Sequence, residues 1–214
     1  MTLADSSTLR PGAGTTEQRP APLRVVREGG TIDVPAAERA VADLLSALGR
    51  DPASPHLAGT PRRVVDSFAE MLTGPSFDLT TFPNDEGYDE LVLATALPVR
   101  SLCEHHLLPF AGVAHVGYLP GDRILGLSKL ARVLDLLARD LQVQERLTQQ
   151  VADWLQEHLA PRGVGVVIEA EHLCMSLRGV RAAGARTTTS ALRGVLRDDA
   201  RSRGEFLSLA RTAA

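Results

Sequence analysis

Residues 100–110 read "RSLCEHHLLPF", and the architecture turns on whether the strand entering this stretch runs through it or stops inside it. The preceding "LVLATALPVRSLC" has the composition of a strand. If that strand stayed regular, Cys103 and His105 would share a face and His106 would point away. A turn directly after Cys103 would instead return residue i+3, His106, to the cysteine, the C-x2-H spacing common at zinc sites. "LLPF" follows at once, and its proline suits a strand that is already ending. The turn is therefore favoured, although spacing alone leaves both histidines open.

Further along, "EAEHLCMSLRG" carries Cys174 with His172 close by. These are the chain's only two cysteines, each accompanied by one or two of its six histidines. Cysteine is often a small buried hydrophobe, and histidine often a hydrogen-bonded core residue. Paired occurrence of both types argues for metal. Cys103, Cys174 and one histidine of the Glu-His-His run make a three-ligand zinc set with an open fourth position. A structural zinc site closes with a fourth protein ligand. Here the spare histidines, His105 and His172, suit proton transfer beside a catalytic metal.

The bulk composition narrows the setting. At 214 residues, 44% hydrophobic and 23% charged, the chain resembles a soluble domain and has no apolar run of membrane-spanning length. A net charge of -3 argues against a general nucleic-acid binder. Two cysteines make no disulfide framework. The opening residues lack an apolar core and include Asp5 and Glu17, so neither a secretory nor a transit signal is expected. A reducing, cytoplasmic setting follows, where Cys/His clusters bind metal or catalyse.

Residues 1–33 are rich in Ser, Thr, Pro, Gly and Arg and read as a flexible arm before a single domain over 34–214. "VPAAERAVADLLSALG" predicts a helix with an apolar stripe through Ala37, Val41, Leu44, Leu45 and Leu48, ended by Gly49. "GTPRRVVDSFAEMLTG" predicts a second, with Thr60 as N-cap and Pro61 at the first helical position. "TFPNDEGYDE" is loop-like, and "AGVAHVGYLPGDRIL" suggests two short strands joined by a Pro-Gly-Asp turn. "LSKLARVLDLLARDL", "QERLTQQVADWLQEHLAP" and "SRGEFLSLARTA" read as helices. "GVGVVIEAEHLCMSLRG" and "ARTTTSALRGVLRDD" are β-rich. The elements do not alternate regularly, so the expected class is α+β. "GDRILGLSK" lacks the lysine of a phosphate loop at its proper place, and "GVGVVI" lacks the third glycine of a dinucleotide fingerprint.

"GLSKLARV" places Ser128, Lys129 and Arg132 at a helix start, where basic residues oppose the helix dipole unless an anion joins them. Gln144 and Glu145 begin the following helix. A carboxylate there stabilises the helix, and it also matches the two parallel N–H groups of a guanine edge. Arg178 lies four residues past Cys174 and could bring a fork-shaped cation to the metal. Arg62 and Arg63 read first as surface residues. Taken alone, these residues point to a zinc enzyme acting on a phosphorylated small molecule.

Together, "SLCEHHLLPF", "GYLP", "LGLSKLARV", "LQVQERLTQQ", "HLCMSLRGV" and "TTTSALRGVLRDD" resemble GTP cyclohydrolase I, in order, over roughly residues 55 to 211. The resemblance implies conversion of GTP and water to 7,8-dihydroneopterin triphosphate and formate. It implies zinc on Cys103, His106 and Cys174, with His105 and His172 moving protons and Ser128 near the ribose and phosphates. It further implies Glu145, with Gln144 beside it, on the guanine edge, and Lys129, Arg132, Arg178 and Arg63 on the triphosphate. The implied fold is the tunnelling fold: an antiparallel sheet with helices packed on one face, preceded here by the N-terminal helices. The implied assembly is a decamer of two pentamers with sites between subunits. His115 matches no role in this scheme and is expected to be structural. No membrane or nucleic-acid partner is expected.

Overall fold

Two long strands of alternating pattern make the centre of the molecule. The computed structural model describes residues 24–25 and 30–212. In chain order its elements are β1 (Arg24–Val25), α1 (Val34–Ala47), α2 (Thr60–Leu72), β2 (Phe77–Asp78), β3 (Thr81–Pro83), β4 (Val92–Cys103), β5 (Pro109–Leu119) and β6 (Arg123–Leu125). They continue with α3 (Ser128–Ala138), β7 (Leu141–Gln142), α4 (Gln144–Leu159), β8 (Gly163–His172), α5 (Leu173–Ser176), β9 (Thr187–Gly194), α6 (Val195–Asp198) and α7 (Ala200–Thr212).

A five-stranded sheet in the order β7-β4-β5-β8-β9 forms the core layer. β7 alone runs parallel to its neighbour; the other pairs are antiparallel. Phe110, Ala114, Val116 and Tyr118 of β5 alternate onto one face with Val164, Val166, Ile168 and Ala170 of β8. That face buries Leu130, Leu134 and Ala138 of α3 and Leu147, Val151 and Leu155 of α4. Each leucine or valine among them contributes about 1.5–3 kcal/mol when fully buried. The expected α+β arrangement is present, with the N-terminal helices preceding the sheet. At one end the opposite face is also covered: Phe206 of α7 packs with Leu119 and Leu196. Its ring lies so close to Gly165 that a Cβ there would come within 2.7 Å of it.

Several local expectations shift. The strand β5 is 11 residues long, and β6 does not fold back on it. β6 instead pairs with β3, so Thr81–Pro83 is a strand within a stretch expected to be loop. Both edges of β5 are already taken by β4 and β8, and β6 is tied to it only through the Tyr118 hydroxyl, which accepts the Leu125 N–H at 2.9 Å. α2 begins with Gly59 in the cap position and Thr60 as its first residue. The Thr60 hydroxyl accepts from the Arg63 guanidinium at 3.2 Å and caps nothing. α1 is capped by Asp33, which accepts the Ala36 N–H at 3.0 Å. Gly49, with φ +73°, stands one residue beyond its C-cap Leu48. The apolar stripe of α1 is left largely open, with Leu44 57% and Leu48 66% exposed.

Most of the expected arm lies outside the described residues. Of it, Arg24 and Val25 pair with Asp78 and Phe77, and Val25 is buried.

Candidate metal centre and active site

The strand β4 does stop at Cys103. The His106 N–H reaches the Cys103 carbonyl at 3.3 Å and the Leu107 N–H reaches it at 2.9 Å, while the Cys103 N–H donates to Leu108. Leu107 closes this turn with φ +55°, a region disfavoured for a bulky residue. The turn brings both histidines to the thiol: His106 Nδ1 lies 3.8 Å from Cys103 Sγ and His105 Nδ1 lies 3.9 Å from it.

The second half arrives through strand register. Phe110 pairs with His172, so the end of β8 lies beside the start of β5, next to the Cys103 turn. The chain then enters the single-turn helix α5, which carries Cys174. Ligand atoms of Cys103, His106 and Cys174 all lie within 4.8 Å of one another. Burial raises the Cys174 thiol pKa, and the neighbouring Cys103 raises it further, while Arg178 opposes them. A thiol held protonated by burial and by its thiol neighbour, with one imidazole beside them, is a set that a soft divalent cation relieves. The donor set fits zinc.

A pocket of about 210 Å³ opens over these residues and is lined also by His105, Gln144, Glu145 and His172. His172 is stacked on the Phe110 ring, with centroids 4.7 Å apart and planes within 10°. Burial lowers its pKa below the ordinary histidine value, and the nearby Glu145 partly offsets this. Its Nε2 lies 2.8 Å from Gln144 Oε1. Glu145, at the start of α4, is exposed, whereas Gln144 is 1% exposed. The Gln144 amide nitrogen lies within hydrogen-bond distance of Ile168 O, Thr187 O and Thr189 Oγ1.

The cations divide into two groups. Arg178 reaches this site, with Nη1 3.2 Å from His106 Nε2. Ser128, Lys129, Arg132 and Arg63 do not line the pocket. Lys129 sits 5.9 Å over the Phe77 ring, and Arg132 borders a separate cavity of about 900 Å³. Two participants were not singled out from sequence. Phe110 becomes visible only through strand register. Arg146 ties α4 to Glu104, inside the Cys-Glu-His-His run, at 2.5 Å; its one signal is a charged residue in the first turns of α4.

The chain matches the GTP cyclohydrolase I family over residues 37–211. It is 56% identical over 182 residues to a GTP cyclohydrolase 1 of Mycobacterium tuberculosis, covering 83% of this chain and 90% of that one. It is 55% identical over 186 residues to a GTP cyclohydrolase 1 of Mycobacteroides abscessus, covering 85% and 91%. A solved structure of an archaeosine synthase QueF-like protein in the apo form aligns over 49% of this chain and 93% of that one. Its TM-score of 0.37 and 15% identity are too low to bear on the fold.

Proposed function

Because the chain belongs to the GTP cyclohydrolase I family, we propose that it is a zinc-dependent hydrolase that opens the imidazole ring of GTP. Formate leaves, and the product rearranges and recloses as 7,8-dihydroneopterin triphosphate, the entry to folate and other pterins. The α+β sheet backed by helices is that family's tunnelling-type fold. The observation that carries the reading is the convergence of Cys103, His106 and Cys174 in one pocket with His105, His172 and Glu145.

Cys103, His106 and Cys174 would hold the zinc. When bound, it supplies a Lewis acid that makes water nucleophilic near neutral pH. The exposed Glu145 carboxylate accepts the two parallel N–H groups of the guanine edge and so presents the five-membered ring to the pocket. His172, kept neutral by burial, takes a proton as the ring opens. His105, on the solvent side of the turn, exchanges protons with water as formate leaves. Arg178 holds the phosphate chain at the pocket's rim.

Ser128, Lys129, Arg132 and Arg63 complete the triphosphate and ribose contacts in this reading. They do not line this chain's own pocket, which supports a site finished by a second copy and a homo-oligomer, read as a decamer of two pentamers. One catalytic domain over 34–214 follows the arm at 1–33. Among the described residues no helix is long and apolar enough to cross a membrane, and the proposed location is cytoplasmic.

The test is incubation of the zinc-loaded chain with GTP, followed by assay of formate and, after oxidation, of neopterin fluorescence. Appearance of both is expected; absence of formate from zinc-loaded protein would overturn the reading.

A further inference from the structure

We infer that Gln144 is a positioning residue that fixes the tautomer of His172, and that its amide makes no contact with the guanine edge. The inference deepens the proposed function and rests on it for His172's part in proton transfer.

Every hydrogen around Gln144 is dictated by its neighbours. Its amide nitrogen faces the carbonyl oxygens of Ile168 at 3.0 Å and Thr187 at 2.9 Å. Carbonyl oxygens only accept, so the NH2 group must lie on that side and the amide oxygen on the other. Reversing the amide would set oxygen against oxygen twice in a buried place. The amide oxygen therefore faces His172 Nε2 at 2.8 Å, and that nitrogen must carry the hydrogen. In the neutral ring Nδ1 is then the acceptor.

A second chain of bonds holds this arrangement. The Thr148 hydroxyl donates to the Gln144 carbonyl at 2.7 Å. With that hydrogen committed, the 2.6 Å contact between Thr148 and Thr189 hydroxyls is donated by Thr189. Thr189 Oγ1 is left as an acceptor 3.1 Å from the Gln144 amide nitrogen, sharing one of its two hydrogens with a carbonyl. Both amide hydrogens and the amide oxygen are thus used within the protein, on a side chain 1% exposed. Phe110 fixes the plane of the imidazole by stacking; Gln144 fixes which of its nitrogens accepts. The neighbouring Glu145, exposed at the same helix start, remains for the base.

Two measurements on the zinc-loaded full chain test this. Nitrogen-15 NMR of histidine-labelled protein, with the His172 signals identified by their loss in His172→Gln, should show the Nε2–H tautomer. An Nδ1–H tautomer would overturn the inference, and this readout needs neither turnover nor substitution of Gln144. In the second, Gln144→Met should lower kcat roughly 10- to 100-fold, the usual effect of losing an orienting partner, and leave zinc bound. KM for GTP should move less than about threefold, because no ground-state contact is removed. A rise in KM of about tenfold at unchanged kcat would assign the amide to the substrate, and no change in either would remove it from the reaction. Failure of the wild type to release formate would instead count against the proposed function, while the tautomer still decides this inference.

Discussion

Arg146 donates through Nη2 to the Glu104 carboxylate at 2.5 Å and to the Leu141 carbonyl at 2.6 Å, while its Nε donates to Gln142 Oε1 at 3.0 Å. The acid between Cys103 and the two histidines is therefore clamped to α4, and its own N–H is held by the Gln142 carbonyl at 3.0 Å. The clamp fixes the turn that carries two of the three expected ligands. Glu104→Ala should weaken zinc binding by roughly tenfold or more, as loss of outer-shell support does. Arg146→Ala should do the same, and the double variant should add little, because the two residues act as one unit. Chelator competition checks this; full additivity of the two losses would show that the pair does not act together.

The proposed ligand and proton-transfer roles separate by variant. Cys174→Ala removes a thiolate and should lose the zinc. His105→Ala should keep it and lose turnover by about 10²–10⁴, the range for a general acid–base group. Metal analysis beside a formate assay distinguishes the two, and zinc retained by Cys174→Ala would refute the ligand assignment.

Phe110 is fully buried and is the surface on which His172 stacks. Phe110→Ala should cost about 3–5 kcal/mol through lost burial and the cavity left behind. Phe110→Leu should cost much less in denaturant unfolding yet still lower kcat, because a branched aliphatic offers no flat face to the imidazole. Equal kcat for Phe110→Leu and the wild type would show that stacking has no part in turnover.

His115 gives a pH-dependent stability. It is 3% exposed, its Nδ1 has no hydrogen-bond partner among the described residues, and burial lowers its pKa below the ordinary value of 6.5, with Glu169 opposing. Below 6.5 the unfolded chain binds a proton that the folded chain resists. Stability from this group is therefore complete above that pH and is lost as the pH falls through the folded-state value. His115→Leu should flatten that acid limb in denaturant titrations, and an unchanged limb would mean that other groups govern it.

Much of this was legible in the chain because it depends on near neighbours. The strand into Cys103, the turn that returns His106, and the start of α4 at Gln144 all follow from local pattern. What was not legible depends on distant pairing. Thr81–Pro83 becomes a strand only because β6, some forty residues on, lies against it. The stack of Phe110 on His172 requires the β5–β8 register. Gln144 and Glu145 are adjacent, yet one faces inward and the other outward. Their division follows from packing of α4 against β8 and β9, whose backbone carbonyls take the Gln144 amide.

Two cysteines and one histidine are proposed to hold a catalytic metal with a position left open. X-ray absorption at the zinc edge of the loaded, full-length protein tests it most directly. Two sulfur ligands at about 2.3 Å, one imidazole and one further light atom not supplied by the protein are expected. That imidazole should vanish in His106→Ala and persist in His105→Ala. A shell without sulfur, or one closed by a fourth protein ligand, would contradict it.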